Sequence, residues 1–179
     1  VEAVGFIDSF IEEKSTVTWG GSMTLSDIGL LDYLQKRDLN LLDRAKAKTP
    51  EEIGEIYRKA FSAAYYLMST NAITMAGKLI NIDGHGNRVA SSIFGRKQVL
   101  VIAGMNKIAI DEAAGISRVQ NIASPANTVR LNCKTPCSTN GQCYDCLVED
   151  CICCQTVITR KSRHNNRIHV VLIGEELGY

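Results

Sequence analysis

Thr16-Val17-Thr18-Trp19-Gly20-Gly21-Ser22-Met23-Thr24 holds the reading that decides the fold. Four β-favouring residues run into a Gly-Gly-Ser turn and then into a helical pattern. Thr24, with Asp27 three residues on, matches a capping box, and Leu25, Ile28, Leu31 and Leu34 form one apolar face. A strand that turns directly into a helix is half of a βαβ unit. The same alternation recurs outward from it. Upstream, Val4, Ile7, Phe10 and Ile11 have helical spacing. Downstream, Leu39 to Leu42 predicts a strand, and Pro50-Glu51-Glu52 predicts a helix start, proline first and acids in the opening turn. Ile53, Ile56, Tyr57 and Ala60 continue that helix. Tyr65 to Ser69, Leu79 to Ile82 and Val99 to Ala103 predict further strands, Asp111 to Ile122 and Pro125 to Leu131 helices, and Thr156 to Thr159 and Ile168 to Ile173 the last two strands. The expectation is an α/β fold, a mostly parallel sheet flanked by helices, in one domain over residues 1–179.

A chain of 179 residues buries about two-thirds of its unfolded surface and needs no cysteine staples to fold. A net charge of +1 leaves no surplus of Lys and Arg for phosphate neutralisation, which argues against a nucleic-acid binder. Arg160, Lys161, Arg163 and Arg167 read as a solvated hairpin or loop. No apolar run is long enough to span a bilayer, and no secretory signal is visible. An odd cysteine count then favours a reducing compartment, and the cytoplasm is the expected location. The chain opens on Val1 inside a helical pattern, so further residues are expected upstream.

Ligands of open α/β sheets sit beyond the carboxyl ends of the strands, and four polar loops follow predicted strands. In the first, Gly20, Gly21, Ser22 and Thr24 offer close backbone approach and free N–H groups to an anion; the alternative is a plain tight turn capped by Thr24. The second contains Thr70 and Asn71. The third runs Asn81-Ile82-Asp83-Gly84-His85-Gly86-Asn87-Arg88. There Arg88 is a candidate bidentate anion anchor and Asp83 a candidate general base, with Asn81, Gly84 and Asn87 as ligand contacts; Asn-x-Asp-Gly is also good turn chemistry. The fourth holds Asn106 and Lys107, a second anion anchor or a surface lysine. His85 is the one histidine in such a loop and, with Asp83, completes the acid/base candidates. It lacks the spaced partners of a metal site, and no nucleophile elbow is present.

These same blocks, with Gly104-Met105-Asn106-Lys107-Ile108, Pro125-Ala126-Asn127, Cys133-Lys134-Thr135-Pro136-Cys137 and Gly174-Glu175-Glu176-Leu177-Gly178-Tyr179, closely resemble the LUD (lactate utilisation) domain family. Members usually carry an extra N-terminal segment. The resemblance implies a fold like ribose-5-phosphate isomerase, glucosamine-6-phosphate deaminase and the CoA transferases. It also implies a role in oxidising lactate to pyruvate, with a small anionic metabolite as ligand and iron–sulfur redox proteins as partners. A homo-oligomer is compatible with it.

All seven cysteines fall within residues 133–154. Cys133-x3-Cys137-x5-Cys143-x2-Cys146 supplies four thiolates, enough for one tetrahedral zinc or one four-iron cluster. In related sequences the pattern has a fifth cysteine matching Cys153, whereas Cys151 and Cys154 are particular to this chain. An iron–sulfur cluster is favoured over zinc because the resemblance points to electron transfer. Disulfides, redox-active thiols or simply reduced cysteines are the alternatives. Three functions compete: a component of lactate or related organic-acid oxidation; a stand-alone enzyme on a sugar phosphate or acyl-CoA, with Asp83 as base or Glu175 or Glu176 as carboxylate nucleophile; and a non-catalytic redox-sensing module.

Overall fold

A computed structural model describes residues 2–95 and 97–179. The chain forms two compact units. The first comprises residues up to Ser69, Ala90–Gly104 and Ser162–Gly178, and the second Thr70–Val89, Met105–Lys161 and Tyr179.

The first unit is built on five strands: β1 (Thr16–Trp19), β2 (Asn40–Leu42), β3 (Tyr65–Met68), β6 (Gln98–Gly104) and β9 (Ile168–Ile173). They lie in the order β2-β1-β3-β6-β9, and every neighbouring pair is parallel. Strand β3 is buried along its whole length and β6 almost so, which is why both read as unbroken apolar runs rather than alternating ones. Val17, Tyr65, Leu67, Leu100 and Ile102 make the sheet's contribution to the core. Val4 and Ile7 of α1 (Glu2–Asp8), Leu25 of α2 (Met23–Asp27), and Leu30 and Leu34 of α3 (Leu30–Leu34) pack into it.

The single helix expected from Thr24 to Leu34 is two short ones. Gly29 sits between them with φ +69°, a left-handed conformation that glycine adopts without steric cost. The cap also differs. Ser22 accepts the Leu25 N–H at 3.4 Å, and Thr24 is buried with its hydroxyl beside Ser69 Oγ and the Leu177 carbonyl. Helix α4 (Pro50–Ala60) begins as read, with Thr49 Oγ1 accepting from Glu52 N–H.

The second unit has a mixed sheet ordered β7-β4-β5-β8, which strand patterning did not foresee. Strands β4 (Ala72–Thr74) and β5 (Leu79–Asp83) form an antiparallel hairpin; β8 (Gln155–Thr159) is antiparallel to β5, and β7 (Ile108–Ala109) parallel to β4. Residues 72–74, for which no strand is expected, form one all the same; three buried residues are too short a run to show a period. Asp111 caps α6 (Glu112–Arg118), which passes through a π-turn at Val119–Ala123 into α7 (Ser124–Arg130). Pro125 lies in the first turn of α7, where a missing N–H costs nothing. Ile80, Ala72, Val119 and Ala123 form this unit's core. Helices α5 (Asn87–Ile93) and α8 (Pro136–Asn140) carry no clear apolar period and went unpredicted.

Gly115 shows how tightly α6 is laid on this sheet: a Cβ there would run into Ile80 Cδ1 and touch Ala72 Cβ at 3.5 Å. Ile80 is fully buried and has nowhere to move. Gly115→Val is therefore expected to destabilise the fold by about 1–3 kcal/mol through overpacking. Thermal unfolding should show Tm lower by roughly 2–10 °C; an unchanged Tm would contradict the close packing.

Candidate functional site

Polar side chains of the second unit converge on Asn71, in the connection between β3 and β4. Its Oδ1 accepts the Ile82 N–H at 3.0 Å and Arg88 Nη2 at 2.9 Å. Its own N–H donates to Asn81 Oδ1 at 3.4 Å, and its backbone carbonyl accepts Arg118 Nη1 at 2.7 Å. Thr70 beside it is buried, its hydroxyl set against the Ala72 and Ile80 carbonyls at 2.8 and 3.1 Å. Asn71 thus pins the β4–β5 hairpin to a loop and to a helix at once.

Arg88 also donates through Nη1 to Asn81 Oδ1 and through Nη2 to the Ile82 carbonyl at 2.9 Å. Asp83 Oδ2 accepts the N–H groups of Arg88 and Val89, each at 3.1 Å, and lies 3.9 Å from Arg88 Nε. A carboxylate taking two N–H bonds in the first turn of α5 acts as that helix's anchor. Arg118 Nε donates to the Asn106 carbonyl at 2.8 Å, so one guanidinium ties the second polar loop to the fourth. Burial lowers the Arg118 pKa from its ordinary value. Lys107, in the 3-10 turn Met105–Lys107 next to Asn106, is only 3% exposed.

Of the residues expected to bind ligand, Thr70, Asn71, Asn81, Asp83, Arg88 and Asn106 are joined in this network, and Lys107 is buried beside Asn106 in the chain. Gly84 and Asn87 are half-buried on the same loop, and His85 is exposed. Gly20, Gly21, Ser22 and Thr24 belong to the first unit. Arg118 went unnoticed in the sequence. A basic residue in the last turn of an amphipathic helix is unremarkable until the carbonyls it meets are known.

The cysteine segment returns to this network. Cys154 N–H donates to the Asp83 carbonyl at 3.0 Å, and Gly84 lies against the Ile152 backbone, where a Cβ would come within 3.4 Å. All seven cysteines are free. Cys137 is buried on α8, with its Sγ 3.2 Å from Thr135 Oγ1 and 3.5 Å from Thr128 Oγ1. Cys153 donates its thiol to Ser124 Oγ at 3.2 Å. The residue's outer surface is exposed but its sulfur is packed inward. That burial pushes the thiol up to about 11; the Ser124 bond pulls it down, and Cys151, Cys143 and Cys137 add to the rise. Burial likewise raises Cys133, with Asp150, Cys137 and Cys151 contributing. Burial also raises Cys146, opposed by the Val148 backbone and assisted by Cys151 and Cys137. The thiols are near enough to act on one another. Among the described residues, however, no three His, Cys, Asp or Glu side chains are placed to hold a metal ion together. The donor chemistry fits a thiolate-bound metal; the positions do not form a ready cage.

A parallel α/β unit, joined in one chain to a small mixed sheet with a polar network at its strand ends, defines the class. A family model described as LUD domain matches residues 1–173, and the chain belongs to that family. A DUF162 family protein from Deinococcus radiodurans shares the fold at TM-score 0.50 and 13% identity, over 97% of this chain and 83% of that one. Ribose 5-phosphate isomerase from Plasmodium falciparum aligns at TM-score 0.40 and 15% identity over 61% of this chain. Ribose 5 phosphate isomerase A from Neisseria gonorrhoeae aligns at 0.39 and 16% over 60%. The chain spans about half the length of these isomerases, 51% and 52%. No curated protein matches it.

Arg118→Met removes the donor to two backbone carbonyls, and is expected to lower stability by about 1–3 kcal/mol. Urea unfolding should show an earlier midpoint with an unchanged slope. For Cys153, a thiol held to about 11 is only roughly one part in a thousand thiolate at pH 8. Iodoacetamide should label it far more slowly than the exposed Cys154, as read by peptide mass spectrometry; equal rates would contradict the packing. Because the fold favours the protonated thiol, its contribution to stability is complete below the ordinary value of 9.0 and is lost as pH rises through about 11.

Proposed function

We propose that this LUD-domain protein serves the oxidation of lactate or a closely related organic acid by binding a small anion at the Asn71 network of the second unit. The observation that carries the reading is the charge of that network. Arg88, Arg118 and Lys107 are drawn into half-buried or buried positions, with the Asp83 carboxylate 3.9 Å from Arg88 Nε. Cations withdrawn from water lose hydration, and an anionic ligand beside them offsets that cost. In this reading Asp83 positions α5 and Arg88 rather than taking a proton, since one of its oxygens already accepts two N–H groups. Arg88 sets the loop's shape, and Lys107 with Arg118 supplies the attractive field.

The proposal extends to the cysteine segment, whose chain touches the Asp83 loop through Cys154. Cys133, Cys137, Cys143, Cys146 and Cys153 are the proposed ligands of an iron–sulfur cluster, or of zinc, drawn together when the metal binds. A cluster there would supply a one-electron relay to an iron–sulfur partner protein. The mutual influence of the thiols supports the site, and an odd cysteine count supports a reducing compartment such as the cytoplasm.

Two measurements on protein purified without oxygen test this. Calorimetric titration with lactate and pyruvate should show binding that Lys107→Met weakens by at least about tenfold. Absence of heat with both ligands at about 10 mM would sink the anion reading. Metal content together with absorbance near 400 nm tests the cysteine site, and a colourless, metal-free protein would remove it.

A further inference from the structure

Gly21 poses a question that its backbone does not answer. Its φ is not in the left-handed region, so no turn geometry demands glycine there. What lies over it is Arg44. A Cβ on Gly21 would lie 2.5 Å from Arg44 Nη2 and 3.7 Å from Cζ. A side chain at Gly21 would move the guanidinium, which as it stands lies on the loop that follows β1.

The topology explains how Arg44 gets there. Strands β1 and β2 are parallel neighbours, with Thr16 opposite Asn40 and Thr18 opposite Leu42. Their carboxyl ends therefore lie side by side, and the Thr18 hydroxyl donates to the Leu42 carbonyl at 2.8 Å. Gly20-Gly21-Ser22 follows one strand, and Asp43-Arg44 follows the other. Asp43 fixes the turn by accepting the Ala45 N–H at 2.9 Å. Arg44 is then held from outside, Nη1 donating to Tyr57 Oη of α4 at 2.9 Å.

Arg44 is half-buried and pairs with no carboxylate among the described residues. A guanidinium has five N–H donors, and the bond to Tyr57 uses one of them. On the facing loop, Gly20 N–H is spent on the Leu67 carbonyl at 3.0 Å, whereas the N–H groups of Gly21 and Ser22 have no partner among the described residues. A positioned cation without a carboxylate partner among the described residues thus lies against a loop with two open backbone donors, at the carboxyl edge of a parallel sheet. Open α/β sheets place ligands at that edge, and planar oxyanions suit that donor set.

We infer that Arg44, with the N–H groups of Gly21 and Ser22, forms an oxyanion cradle in the first unit that takes the carboxylate or phosphate group of a ligand. Arg44 is the binding residue, Tyr57 positions it, and Gly21 makes room for it. The cradle lies within the first unit and shares no residue with the Asn71 network, so either can fail without the other.

Amide NMR titration of the full chain reads the cradle directly, with inorganic phosphate in one arm and L-lactate in the other. One of the two anions is expected to shift the Gly21 and Ser22 amides saturably, and the arm that does so names the oxyanion. Arg44→Gln should weaken that binding by at least about tenfold. Arg44→Lys should recover part of it, as a charge without the fork. Gly21→Ala should weaken binding as Arg44→Gln does, by displacing the guanidinium. An unchanged thermal transition in the Arg44 variants shows that they fold. Either of two results overturns the inference: no shift at Gly21 and Ser22 with both anions at about 50 mM, or a shift whose midpoint is the same in folded Arg44→Gln. Lactate binding that survives in Arg44→Gln and disappears in Lys107→Met, with no phosphate-induced shift at Gly21 and Ser22, would overturn this cradle and leave the Asn71 network standing.

Discussion

One asparagine carries the polar architecture of the second unit. Asn71 accepts at its side chain from Arg88 and the Ile82 N–H, and at its backbone from Arg118. Polar groups withdrawn from water must find partners or cost free energy of about 1–3 kcal/mol each. Two guanidiniums and a hairpin therefore settle hydrogen bonds on one residue. Asp83 completes the arrangement, holding the first turn of α5 at its carboxylate while its carbonyl receives Cys154 N–H. The shape of the polar loop, the direction of α5 and the path of the cysteine segment are consequences of a single satisfied network.

The first unit follows a different constraint. Its central strands are buried on both faces, so their N–H and C=O groups must be paired with neighbouring strands, and the parallel ladder does this from β2 to β9. Parallel strands in one sheet end on the same side, which brings their following loops together. Gly21 beneath Arg44 is a result of that geometry, with residues more than twenty positions apart in the chain brought into contact.

The α/β class was legible because βα alternation, the Pro50-Glu51-Glu52 helix start and the continuous apolar run Val99 to Ala103 are local signals. The second sheet was not. Strands β4 and β7, of three and two residues, carry too little pattern to register, and their pairing joins distant segments. The helix cap was misplaced by two residues, since Thr24 and Ser22 are both good caps and burial of Thr24 decided between them. Among the polar residues, Asn71, Asn81, Asp83 and Arg88 could be named from their loop. Arg118 and Arg44 could not, because nothing local distinguishes a binding arginine from a solvated one.

The sequence alone therefore determined what depends on near neighbours: strand and helix types, the polar loops that follow strands, the blocks that mark the LUD family, and the crowding of cysteines into one segment. Tertiary structure decided what depends on distant ones. It set Arg118 against two carbonyls, Arg44 over Gly21 and Cys154 against Asp83. It also set the Cys153 sulfur against Ser124, so that burial holds a thiol indistinguishable from its neighbours in the sequence in its protonated form. The physical reason is common to all four. Charge, burial and hydrogen-bond partnership belong to a place in space, and residues far apart in the chain share that place only after folding.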